Sequence, residues 1–408
     1  MAACLIIALA PSMFAQQQNA IDQTQLIQSL MMRIDQLEKR VAELETPKPQ
    51  NTAAPANPAV ATAEAMQMMT QGSGAESHPA LNMAGFSDFT FGASDQSASK
   101  SSFSEGQFIL HFNSNLTPKV SFMGELSLTA RTDAGTGSPP APGFNPEIER
   151  SIIRYEHNDY FKVSFGRYHT PINYWNTTFH HGQWLQTTVS RPEMVQFGGK
   201  FIPVHFVGAL VEGAAAANGL NLNYNFGIGN GRGNAISRAG DAGDDNNAKA
   251  WLVNAFVRPD SLYGLQIGGS SYRDKINTGG HTYNEWITAA HIVLSRETPE
   301  ILAEFANARH TQLDIASPAA NSQAFYVQTG YRLPMLKKTL KPYYRFEYIH
   351  VPKSDTLLQP ISNLAGSVAG MRYDITNFAA FKFEFRNQRR GPGQSRINSG
   401  FIQTSFAF

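Results

Sequence analysis

Cysteine is almost absent from this chain of 408 residues: Cys4 stands alone, so no disulfide can close within the chain and no thiol cluster can hold a metal or run redox chemistry. No apolar run approaches twenty residues, which excludes a membrane-spanning helix. Lys and Arg total 33 against 32 for Asp and Glu, and a net charge of +1 without a basic stripe gives no broad attraction for nucleic acid. Neither a Gly-x-Ser-x-Gly elbow nor a His-Glu-x-x-His pair occurs, which removes two familiar hydrolytic centres. What remains is dispersed hydrophobicity: 42% apolar residues, 33 glycines and 27 phenylalanines, arranged with a period of two.

That period is explicit in several places. Leu220, Leu222, Tyr224, Phe226 and Ile228 alternate with Asn221, Asn223 and Asn225, and Phe381, Phe383 and Phe385 alternate with Lys382, Glu384 and Arg386. Near the end Ile402, Thr404, Phe406 and Phe408 share one face, with Gln403, Ser405 and Ala407 on the other. One face suits lipid and the other water, over stretches of about ten residues, the length of a membrane strand. Counting up and down gives sixteen strands, beginning near Met83, Gln107, Val120, Pro146, Tyr160, Met194, Leu220, Ala248, Leu262, Tyr283, Ile301, Ser322, Pro342, Leu364, Phe378 and Arg396. A soluble antiparallel sandwich alternates in the same way. The connections separate the two: short turns at 158–159, 259–261 and 376–377 fall at one end, and long loops at 134–145, 231–247, 275–282 and 311–321 at the other. Such sorting belongs to barrels of the outer membrane. The expected fold is therefore all-β, a 16-stranded antiparallel transmembrane barrel over 81–408, preceded by a coiled-coil helix.

Residues 1–15 read as a secretory signal with an apolar core, Cys4 to Ala10, and cleavage after Ala15. No Lys or Arg precedes that core, so the true start is expected upstream of the recorded one. Within 16–45, Ile27, Leu30, Ile34, Leu37, Val41 and Leu44 are spaced alternately three and four apart, three heptads of a coiled coil that is expected to oligomerise. Residues 46–80 lose periodicity and are rich in Pro, Ala, Gln and Thr, as a flexible linker is.

Signal, short coil, linker and a barrel closing on Phe408 resemble the phosphate-selective porin O and P group and the dicarboxylate porins that carry an N-terminal coil. The local match runs from Arg150-Ser151-Ile152-Ile153-Arg154 through Phe165-Gly166-Arg167 to Pro171. This resemblance implies a homotrimer in outer-membrane lipid, a coil in the periplasm, and a third external loop folded inward as a constriction, here residues 168–193.

That loop holds His169, Tyr174, Trp175, His180, His181, Trp184 and Arg191, too apolar a set for a plain exposed loop. It is expected to fold inward and line the passage; the alternative is a cap over the mouth or against a neighbouring subunit. His180 and His181 are adjacent, so their side chains should diverge, and neither a metal nor a cofactor is expected. Strand alternation points Lys162, Arg332, Arg345, Arg372, Lys382 and Arg386 into the pore, together with Glu125, Glu304, Glu347, Asp374 and Glu384. Several of these can pair, Arg345 with Glu347, Arg372 with Asp374 and Lys382 with Glu384. Arg150, Arg154, Arg167 and Arg191 then leave a basic surplus, which predicts weak preference for small anionic solutes. Asp241, Asp244 and Asp245 read as a solvated acidic turn rather than a calcium loop. Passive diffusion is the expected function, an outer-membrane enzyme or an envelope tether reaching the cell wall through the coil being the alternatives.

Overall fold

The computed structural model describes residues 79–131, 143–196, 200–237, 240–241, 243–359 and 361–408. The expected leader, coil and nearly all of the linker lie outside the described residues. Among these residues sixteen strands pair in sequence order, each antiparallel to the next, and the first closes on the last. They are β1 (Leu81–Ser94), β2 (Ser102–Thr117), β3 (Val120–Arg131), β4 (Gly143–Asn158), β5 (Phe161–His169), β6 (His205–Ala215), β7 (Leu222–Asn230) and β8 (Ala250–Val257). The second half comprises β9 (Leu265–Thr278), β10 (His281–Ser295), β11 (Glu300–Gln312), β12 (Ala320–Gly330), β13 (Leu340–His350), β14 (Leu364–Thr376), β15 (Ala379–Arg390) and β16 (Arg396–Ala407).

Closure follows from the alternation. On β15, Phe381, Phe383 and Phe385 stand outward while Lys382 and Glu384 are 0% and 3% exposed on the inside. The seam pairs Phe86 with Ala407 and Ser87 with Phe406, and Gly85 and Phe408 exchange backbone hydrogen bonds of 2.7 and 3.0 Å. Tyr160, Tyr263, Tyr331, Tyr373 and Phe378 are exposed near the short-turn end, an aromatic belt of the kind that marks a membrane interface. An apolar outer surface of this extent is sustained by lipid, not by water. No helix among the described residues is long and apolar enough to cross a membrane.

Several expectations change. The sixth strand begins at His205, not Met194, because Met194, Val195, Phe201 and Ile202 are apolar for packing inside the barrel rather than for facing lipid. The loop expected at 275–282 is only the Gly279-Gly280 turn, whose φ values of 60° and 78° suit a two-residue hairpin and let Thr278 pair with His281. Arg332 lies beyond β12, in the turn 331–339, where it bridges Glu297 at 2.8 Å and Asp374. The longest connections, 170–204, 231–249 and 351–363, lie at one end and the short turns 118–119, 159–160 and 377–378 at the other, but the sorting is incomplete: 258–264, expected as the short turn 259–261, and 331–339 match or exceed 313–319 at the long-loop end.

Candidate functional site: a loop held across the lumen

The described residues of the connection between β5 and β6, 170–196 and 200–204, lie inside the barrel. Its first turn, α1 (Trp175–Thr178), has no side-chain cap of its own. Glu304 of β11 replaces that cap, accepting from the backbone N–H of Tyr174 at 2.9 Å and of Trp175 at 2.6 Å. Asn173 donates from its side chain to the Phe305 carbonyl, also on β11, at 3.1 Å. Trp175 is buried edge-on against Tyr326 of β12, with ring centroids 5.9 Å apart. The loop therefore reaches strands remote from its own stems.

Further along, charged wall residues satisfy the loop backbone. The Glu384 carboxylate accepts from Val189 N–H at 3.0 Å, Ser190 N–H at 3.1 Å and Ser190 Oγ at 2.6 Å. Glu347 accepts from Glu193 N–H at 2.6 Å. Arg345 donates to the Ser190 carbonyl at 2.9 Å and the Arg191 carbonyl at 3.2 Å. Arg372 donates to the carbonyls of Trp184 and Gln186 at 2.6 and 3.0 Å. The Lys382 ammonium donates to Gln183, Gln186 and Thr188 carbonyls. Inside a low-dielectric wall an unsatisfied amide is costly, so charge-assisted bonds of this kind decide where a buried loop can lie.

These contacts revise the expected pore lining. Arg345 and Lys382 are 0% exposed and Arg372 is 8% exposed, so their charge is turned onto peptide carbonyls rather than onto water. Arg345 still pairs with Glu347 at 2.9 Å and Arg372 with Asp374 at 2.7 Å, whereas Glu384 pairs with Arg386 at 2.7 Å instead of Lys382. The basic surplus is mostly compensated: Arg150 pairs with Glu125, Arg154 with Glu212 at 3.0 Å, and Arg167 with Glu147 and Asp241 at 2.9 and 2.7 Å. Arg191 donates within the loop, to the carbonyls of His180 and Val195. Trp184 stacks on Phe86 at 6.4 Å beneath the Arg372 guanidinium.

Open space remains below the loop, toward the short-turn end: a cavity of about 360 Å³ whose lining includes Tyr174, Arg150, Arg154, Lys162, Glu212 and Arg258. Lys162 pairs with Glu156 at 2.7 Å, while Arg258 donates to Gln266 at 3.0 Å and lies over the Phe256 ring. Arg258 was not among the expected residues. It sits one residue past β8, outside the alternation that found the others.

The adjacent imidazoles do not diverge as expected. His180 and His181, with centroids 4.3 Å apart, turn into one cluster with the buried His169 and the partly buried His205, the last residue of β5 and the first of β6. His205 and Glu149 were both missed. Between the pairs Glu125–Arg150 and Leu126–Ile148 the β3–β4 register slips, leaving Glu149 as an extra residue, a bulge that buries a carboxylate which regular alternation would face outward.

A scan of protein-family models finds no match to this chain, and a search of curated proteins finds none. Solved structures do match. An anion-selective porin from Comamonas acidovorans is similar at a TM-score of 0.59 and 10% identity, over 81% of this chain and 100% of that one. The outer membrane channel DcaP of Acinetobacter baumannii is similar at 0.56 and 10%, over 83% of this chain and 100% of that one. The trimer form of OmpT, an outer membrane protein of Vibrio cholerae, is similar at 0.53 and 12%, over 81% of this chain and 100% of that one. What these likenesses share with the chain is the barrel fold.

Proposed function

We propose that this protein is an outer-membrane porin through which small solutes diffuse passively, with a weak preference for anions. The observation that carries the preference is the vestibule below the loop, where Glu125, Glu212 and Glu156 answer Arg150, Arg154 and Lys162, and Arg258, which donates to Gln266 and lies over Phe256, stands as the excess cation. Wide barrels of sixteen strands enclose water, and fixed charge on their walls biases which ions enter. The fold shared with an anion-selective porin and an outer membrane channel supports the reading. Trimeric assembly is part of the proposal, supported by the trimer form in which one similar barrel is known.

The test is single-channel recording in a planar bilayer under a salt gradient. Reversal on the anion side, with conductance steps in groups of three, is the expected result. Arg154→Gln combined with Arg258→Gln should move the reversal potential toward cations. A unit charge about 10 Å from a permeating ion in water contributes about 0.4 kcal/mol, roughly a factor of two in occupancy for each charge removed. A silent bilayer would overturn the porin reading, and an unmoved reversal potential would overturn the selectivity.

A further inference from the structure

Where the loop leaves β5 and rejoins the wall at β6, four imidazoles and a carboxylate meet in a way that diffusion does not require. Glu149, His169, His180, His181 and His205 each bring one ligand-type atom to within 4.8 Å of the others. The His169 and His180 rings are 4.1 Å apart, and His180 lies 5.1 Å from His205. Glu149 Oε2 stands 3.1 Å from His181 Nε2 and 2.7 Å from His205 Nε2. Ligand atoms on a tetrahedral zinc, with bonds of about 2.0–2.1 Å, lie about 3.4 Å from each other. The Glu149–His181 separation is already of that size, and side-chain rotation can close the rest.

We propose that Glu149, His169, His180 and His181 bind a divalent first-row transition metal of the zinc type, with His205 positioning the carboxylate. The surrounding bonds favour these roles. Gln107 Oε1 lies 3.2 Å from His181 Nδ1 and accepts its proton, which leaves Nε2 with a lone pair directed at Glu149. Arg167 donates to His205 Nδ1 at 3.1 Å, which places that ring's own proton on Nε2, aimed at Glu149. Glu125 lies 3.6 Å from His169 Nε2, an orienting carboxylate behind a ligand.

Most of the cationic charge around the site is answered. Arg167, Arg150 and Arg191 approach it; Glu147 and Asp241 answer the first and Glu125 the second, while Arg191 is turned onto the carbonyls of His180 and Val195. Imidazole with one carboxylate selects zinc, copper, nickel or iron over calcium and magnesium. A metal here would fasten residues 180–181 to β4 and β5, on the side of the lumen opposite Arg345 and Lys382.

The experiment uses the full chain without a histidine tag, stripped with chelator in detergent and then loaded with Zn²⁺ or Co²⁺. One equivalent of zinc per chain should survive gel filtration, and Co²⁺ should give the intense visible absorption of a four- or five-coordinate ion. The His180→Gln/His181→Gln variant should bind zinc at least about 100-fold more weakly, since loss of an outer-shell partner alone costs 10–100-fold. His281→Ala should change nothing, although His281 forms an exposed pair with Asp314 at 2.5 Å. Heat-modifiable migration on a gel reports whether each variant holds its barrel, and if the double variant fails to fold, the wild-type cobalt spectrum decides. No retained zinc, equal retention by wild type and double variant, or only the faint absorption of hydrated cobalt would each overturn the proposal.

Discussion

Arg345→Met is expected to free residues 188–191 from the wall and to destabilise the folded barrel by about 3–5 kcal/mol, the cost of breaking a buried charge pair from one side. Arg345 is fully buried, pairs with Glu347, and donates to Ser190 Oγ at 2.7 Å as well as to the carbonyls of Ser190 and Arg191. Methionine fills much of the stem's volume but leaves Glu347 and Glu384 as carboxylates with less opposing charge. Denaturant midpoints of the detergent-folded protein measure the loss, and single-channel current should become larger and noisier as the segment moves. Arg345→Met/Glu347→Met should recover part of the stability, because removing both partners avoids a stranded charge. Current and midpoint both unchanged in the single variant would show that the loop is held without this residue.

Gly166→Val is the second large effect. Gly166 has φ of 146°, and a Cβ built there would stand 1.9 Å from the Ser151 carbonyl oxygen and 2.9 Å from the Ile152 Cα. Both are backbone of the neighbouring strand, so no side chain can turn aside. The cost combines an unfavourable backbone conformation with overpacking, of order 1–3 kcal/mol or more. It should appear as a fall in the heat-modifiable folded fraction. Gly400→Ala is the control: nothing lies within 4 Å of its Cβ, and a change within about 0.5 kcal/mol is expected. Equal behaviour of the two variants would remove the steric explanation for Gly166.

The barrel was legible because one rule governs nearly all of it. Phe383 and Lys382 differ in side by the pleat alone, and the same parity places Glu304 and Arg345 inside. Parity says nothing about what an inward side chain will meet. Arg345, Arg372 and Lys382 were placed on the correct face, yet their partners are carbonyls of a loop more than 150 residues away in sequence. Where parity itself fails, so did the reading. The bulge at Glu149 turns its carboxylate against the alternation, and the apolar residues 194–195 and 201–202 face a lumen packing that period-two reasoning assigns to lipid. His205 was hidden by the same error, lying inside a strand counted from Met194 when it is that strand's first residue.

The separation between the loop and its holdfasts also has a meaning in time. Val189 and Glu384 are 195 residues apart, and Arg345, Arg372 and Lys382 all belong to the last four strands. Contacts of such long separation close slowly, and the bonds from Arg345, Arg372, Lys382 and Glu384 require β13 to β15 to be in place. Complete seating of the loop is therefore expected to follow the pairing of those strands rather than to precede it.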